Sequence, residues 1–329
     1  MVHNEDSRVK IPSILHLTRL GYSYLSLKGA KWDGATNIFP DLFRDSVAKI
    51  NPEASPEDIK RLLQEITLLL GYEDLGKAFY ERLTQTSGLK LIDFENFDSN
   101  SFRVVTELTC KNGDDEFRPD ITLLINGMPL VFIEVKKPNN RDGILAERNR
   151  INTRFKNPKF RRFVNITQLM VFSNNMEYDD SSPEPLEGAF YATPSNEDAS
   201  FNYFREEETL DLDTLLAPED DETEDFILTD TNLTSIKHSP EFATNKNPDT
   251  PTNRLSTSLF TRDRLKFLLQ FAFAYVKGNR APRNTSCAIL RCSPPRRSSA
   301  FSKKVFARAS SGTRREVEKQ RWPSTMSTI

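Results

Sequence analysis

Cysteine and histidine are scarce, with three of each in 329 residues. Two of the cysteines, Cys287 and Cys292, lie beyond residue 278, so the body of the chain has Cys110 alone. That excludes a disulfide framework and fits a reducing, cytoplasmic setting. His3, His16 and His238 are scattered and no Cys/His cluster has zinc spacing, so each reads as an ordinary residue rather than a ligand. No apolar run approaches the roughly 20 residues of a membrane-spanning helix. The start, Met1-Val2-His3-Asn4-Glu5-Asp6, is not a signal peptide, so no membrane partner is expected. The phosphate-cradling pattern GxxxxGK[ST] is also missing from the sequence as written.

Charge is plentiful but uneven. Residues 1–277 carry 33 Lys/Arg against 45 Asp/Glu, whereas residues 278–329 carry 12 against 2. Within the first part, residues 206–225 hold eleven acids and begin Glu206-Glu207-Glu208. This stretch reads as an exposed, partly disordered connector; the less favoured reading is a DNA-like surface that fills a basic channel. The opposite block is Arg148, Arg150, Arg154, Lys156, Lys159, Arg161 and Arg162, seven cations with no acid among them. An ordinary solvated face is the plain alternative. A wall contacting phosphates, extended by Lys137, is the preferred reading, with salt-sensitive and sequence-blind affinity.

Periodicity places the elements. Ser55-Pro56 opens a helix with Pro56 at its first position, and Ile59, Leu62, Leu63, Ile66, Leu69 and Leu70 recur at helical spacing until Gly71. A second helix begins near Asp74 with Leu75, Ala78, Phe79 and Leu83. Strands are expected at 89–92, 102–105, 121–125, 130–135 and 167–172, with a loop and helix crossing over between 138 and 163. Thr261-Arg262-Asp263-Arg264 opens an apolar helix from Leu265 to Val276, with Phe267, Phe271 and Phe273 on a face that can be left sticky. The fold class expected is α/β: a mixed sheet flanked by helices, with a helical N-terminal part and an irregular C-terminal tail.

The phrase Arg118-Pro119-Asp120, an apolar run, then Glu134-Val135-Lys136 carries the chemistry. A buried strand does not hold a carboxylate unless the charge is paired or binds metal. Asp120, Glu134 and the Val135 carbonyl can supply the oxygen ligands that Mg²⁺ requires. Lys136 can hold or deprotonate a water, or offset charge on a phosphorane-like transition state. Glu134 and Lys136 are two apart, so they share a face. Asn126-Gly127 signals a tight hairpin between the two strands. A simple two-residue loop would pair Asp120 with Ile133 and send the two acids to opposite faces. A three-residue loop, Asn126-Gly127-Met128, or a compensating bulge is therefore predicted. The plain alternative is an ordinary hairpin with charged ends.

FRPDITLLINGMPLVFIEVKKPNN and NITQLMVFSNNMEYDD, with PSILHLTRLGYSYLSL and NIFPDLF, resemble the restriction subunit of type I restriction-modification enzymes, in the PD-(D/E)xK nuclease superfamily. The resemblance spans residues 8–276 and implies that Asp120, Glu134 and Lys136 are catalytic. It implies double-stranded DNA as substrate, partnership with methyltransferase and specificity subunits, and ATP use in intact relatives only. Relatives carry a glutamate in the first helix, where this chain has His16. They also carry a Gln-x-x-x-Tyr element, for which 146–155 offers no match.

The parts expected are a helical segment over 1–88, the catalytic core over 89–180, the acidic connector with some strand over 181–250, a helix over 251–277 and the tail. A basic, disordered DNA-binding tail is one reading. The preferred one is a frameshift that ends the chain before an ATP-driven motor: read two bases later, allowed codons for Arg314–Gln320 give Glu-Gly-Ser-Gly-Lys-Thr. The gene's nucleotide sequence decides this, and stops in that frame beyond codon 284 would remove the expectation. The leading function is Mg²⁺-dependent cleavage of a DNA phosphodiester by a type I restriction subunit truncated in this way. The alternatives are a stand-alone nuclease of the same superfamily, discriminated by cutting without partners, and an inactive remnant that only binds DNA or protein.

Overall fold

The computed structural model describes residues 5–138, 143–177, 188–194, 202–204, 209–277 and 285–289. His3, Glu206 to Glu208, Cys292 and the Arg314–Gln320 segment lie outside the described residues.

Helices dominate the first part. A wide turn, Asp6–Lys10, runs into α1 (Ile11–Arg19), followed by α2 (Pro40–Ile50), α3 (Pro56–Leu69) and α4 (Lys77–Leu83). The entry to α3 is a reciprocal cap: the Ser55 hydroxyl accepts from the Asp58 amide while the Asp58 carboxylate accepts from the Ser55 amide. Ile59, Leu62, Ile66 and Leu70 are buried, the stripe the spacing predicts.

Eleven strands follow the chain among the described residues: β1 (Ser23–Tyr24), β2 (Phe102–Thr106), β3 (Cys110–Asn112), β4 (Asp115–Phe117), β5 (Ile121–Ile125), β6 (Met128–Val135), β7 (Leu169–Ser173), β8 (Ala189–Ala192), β9 (Asn202–Tyr203), β10 (Phe273–Lys277) and β11 (Thr285–Ile289). Seven make one sheet in the order β1-β2-β5-β6-β7-β8-β9. It is mixed: β5 and β6 run antiparallel, and β6 and β7 run parallel. A parallel pair requires a crossover, and α5 (Gly143–Phe155) and α6 (Arg161–Ile166) provide it.

The two faces of β6 pack differently. Val131, Ile133 and Val135 join Ile14, Leu17 and Phe43 in the larger core. Phe132 points the other way, into a cluster with Phe117, Ile151, Phe163 and Phe172 under the crossover helices. Alternation assigns Glu134 to this second face.

Three expectations change. Leu89 to Ile92 forms no strand, because Asn51 satisfies the Lys90 backbone at both ends: its Oδ1 accepts from the Lys90 amide and its Nδ2 donates to the Lys90 carbonyl. The acidic connector is partly helical, with α7 (Leu212–Leu215) and α8 (Asp221–Asp230). Asp220 caps α8, whose first turn holds Asp221, Glu222 and Glu224, where the helix dipole favours negative charge. Glu219 and Glu224 also pair with Lys246. Two further helices, α9 (Pro240–Asn245) and α10 (Pro251–Phe260), then lead to α11 (Arg262–Phe267). The apolar helix expected up to Val276 ends at Ala272. The β-favouring run from Phe273 instead pairs antiparallel with Thr285–Ile289, so that part of the basic segment is a strand.

Candidate active site

The β5–β6 hairpin decides whether two acids meet. Asn126 and Gly127 both adopt positive φ, 50° and 77°, as a two-residue hairpin turn of matching twist demands. The turn is clamped from both sides. Asn126 Nδ2 donates to the Leu91 carbonyl and its Oδ1 accepts from the Ser101 amide. The Gly127 carbonyl accepts from the Phe39 amide, and a Cβ at Gly127 would stand 2.7 Å from the Phe43 nitrogen.

Ile125 therefore pairs with Met128 and Leu124 with Pro129, not in the three-residue loop also considered. The register then slips: Leu123 pairs with Val131 and Ile121 with Ile133. Leu130 is the extra residue of a bulge, and continuing that register sets Asp120 opposite Glu134. The contact is direct, since Asp120 Oδ2 accepts from the Val135 amide at 3.0 Å. Lys136 Nζ lies 3.6 Å from Asp120 Oδ2 and 3.9 Å from Glu134 Oε2, and donates to the Val135 carbonyl at 2.8 Å.

Two carboxylates that the motif did not contain complete the cluster. Glu147 of α5 approaches Lys136 at 4.0 Å, and Glu5, ahead of α1, at 3.9 Å. His16, by contrast, is buried away from this cluster, with Nε2 2.7 Å from the Thr257 hydroxyl. The only available signal for Glu147 is that it is the sole acid in a basic helix. Glu5 offered none, because its proximity is wholly tertiary.

Burial drives the Glu134 carboxyl well above its usual range, helped by the Asp120 charge, a hydrogen bond to Asp120 and the Glu147 charge. Burial alone would lower the Lys136 ammonium, but attraction to Asp120, Glu134, Glu5 and Glu147 outweighs it and leaves it raised. Glu5 is raised by burial against the pull of Lys136. One ammonium thus faces four carboxylates, a surplus of hard oxygen donors that fits a hard divalent cation. Among the described residues, no three His, Cys, Asp or Glu side chains form a ready cage. Asp120, Glu134 and the Val135 carbonyl are the oxygen donors that could hold such a cation.

The basic crossover is less uniform than its sequence. Arg150 and Arg154 turn to Glu147 at 3.1 and 3.4 Å, Lys159 to Asp115 at 2.8 Å and Arg161 to Glu73 at 2.8 Å. Arg154 also lies over the Phe117 ring, 4.3 Å from its centroid. Lys137, Arg148, Lys156 and Arg162 are exposed. Of the α8 acids, Asp225 pairs with Lys237, Glu224 with Lys246 and Asp230 with Lys28, none of them in this block.

Residues 3–179 match the family described as the type I restriction enzyme R protein N terminus. The chain is 28% identical over 208 residues to the putative type I restriction enzyme MjaIXP endonuclease subunit of Methanocaldococcus jannaschii, covering 55% of this chain and 19% of that protein. It is 42% identical over 67 residues to the putative MjaVIIP endonuclease subunit of the same organism, covering 20% and 6%. With the type I restriction enzyme HindI endonuclease subunit of Haemophilus influenzae it shares 29% over 131 residues, covering 34% and 12%. The matched region thus spans about a fifth or less of these relatives' lengths.

Proposed function

Because this chain belongs to the family of type I restriction enzyme R-protein N termini, we propose that it is the DNA-cleaving part of such an endonuclease subunit, hydrolysing a phosphodiester with Mg²⁺. The observation that carries the reading is the bulge at Leu123/Leu124. It gives up a regular ladder within the hairpin and sets Asp120 against the Val135 amide, within 3.6 Å of Lys136. An ordinary hairpin with charged ends has no use for that register.

In this reading Asp120, Glu134 and the Val135 carbonyl hold the cation, which when bound polarises the phosphoryl oxygen and acidifies water. Glu134, buried beside Asp120, would serve as a ligand in its ionised form, since a ligating carboxylate must be deprotonated. Lys136 leaves the Val135 carbonyl and turns its ammonium to the attacking water or to the charge growing on the phosphoryl oxygens. Lys137, Arg148, Lys156 and Arg162 grip the sugar-phosphate backbone without reading bases. Target choice then belongs to methyltransferase and specificity subunits, the partners that the family resemblance implies.

The test compares plasmid cleavage and duplex binding by the parent chain and by Asp120→Ala and Lys136→Ala, in Mg²⁺ and in Mn²⁺. Each variant should lose about 100-fold or more in cleavage rate while keeping the parent's DNA affinity. Variants that cut as fast as the parent would overturn the assignment.

A further inference from the structure

Glu147 does something the proposed chemistry does not require. Its carboxylate is 3% exposed, yet it touches three cations: Lys136, Arg150 and Arg154. The three are not equivalent. Lys136 is 16% exposed and Arg154 is 26% exposed, with its guanidinium seated on Phe117. Arg150 is 58% exposed and meets Glu147 Oε2 through Nη1 at 3.1 Å. It sits one turn along α5 from the carboxylate, with exposed Arg148 nearby in the chain.

We propose that Glu147 stands in for a DNA phosphate: it holds Arg150 against the site in the free protein, and Arg150 exchanges from Glu147 to a phosphate of the bound duplex. This rests on the DNA-cleaving reading for its ligand but not for its geometry. The carboxylate and a phosphate oxygen offer a guanidinium the same kind of charge-assisted hydrogen bond. Glu147 is fixed in the protein interior, whereas Arg150 has a long, solvated stem, so Arg150 is the partner that moves. Once it leaves, Glu147 keeps Lys136 and Arg154 and remains compensated, so the exchange strands no buried charge. The latch also makes Glu147 a brake on DNA binding, because each engagement must first break the Arg150 pair.

The experiment measures duplex affinity by fluorescence anisotropy in EDTA across a range of salt, using the full chain. Glu147→Gln keeps the shape and removes the charge. It should bind about threefold to tenfold tighter than the parent, with the slope of log K against log salt unchanged or steeper. Arg150→Ala should weaken binding by a similar factor and flatten the slope by about one. Combined with Arg150→Ala, the Glu147→Gln change should bring no tightening, because its effect acts through Arg150. An unchanged or weakened Glu147→Gln, or additive effects in the double variant, would overturn the latch. Should Glu147→Gln fail to fold, the exposed Arg150→Ala and Arg150→Lys decide it: Arg150→Ala equal to the parent in affinity and slope refutes the exchange. Cleavage by Asp120→Ala fails or succeeds independently of these binding curves, so the two readings fall separately.

Discussion

Glu134 and His16 show what burial does to a titratable side chain in opposite circumstances. Glu134 is lifted well above the usual carboxylate range by burial, with the charge of Asp120 adding to the effect. Burial instead drives the His16 pKa down to about 3, with Arg19 adding to the effect. A histidine depressed below its unfolded value of about 6.5 stabilises the fold fully above that pH, and the contribution is lost as pH falls from 6.5 toward 3. The slope is about 1.4 kcal/mol per pH unit over that window. Urea melts at a series of pH values should therefore show the parent losing stability more steeply than His16→Gln between pH 6.5 and 4. Parallel curves would mean that His16 is not held neutral.

At the scale of the element, the β5–β6 hairpin is fixed from outside. Its turn needs positive φ at Gly127, and the α2 entry lies against that residue. Gly127→Ala would combine left-handed strain of about 1–2 kcal/mol with a backbone clash at Phe43. A loss of at least about 2 kcal/mol in unfolding free energy is expected, read from denaturant midpoints at constant m. A variant within 0.5 kcal/mol of the parent would show that the clamp gives way. The same element shows what spacing could and could not reveal. Parity of the motif demanded a bulge or a longer loop, since Glu134 and Lys136 had to share a face with Asp120. Which device was used depended on Phe39 and Phe43 meeting the turn, contacts far apart in the chain. Leu89 to Ile92 read as a strand because its composition is strand-like; Asn51 captured its backbone from a distance.

Across the whole molecule, charge is unevenly distributed along the chain. Residues 1–277 carry a net charge of −12, so under the proposed reading their attraction to DNA would be local to the face beside Lys136. Four of the eight cations assigned to DNA are held by Glu147, Asp115 and Glu73. The exposed Lys137, Arg148, Lys156 and Arg162, with one exchanging arginine, would make about five phosphate contacts under the proposed reading. The slope of log K against log salt for a duplex should then be about −4 to −5, rather than about −7 for eight. A slope near −7 would mean that the paired cations also let go of their carboxylates. No helix among the described residues is long and apolar enough to cross a membrane.

The order of residues by itself determined the mixed sheet, the hairpin, the three motif side chains and the need for an irregular register, because strand alternation and turn chemistry are local rules. Tertiary structure alone decided that Leu130 is the bulged residue, that Glu5 and Glu147 close around Lys136, and that Arg150, Arg154, Lys159 and Arg161 of the basic crossover pair with carboxylates. Those outcomes depend on which distant groups share a buried space. A buried charge must find its partner in three dimensions, whatever its neighbours in the chain.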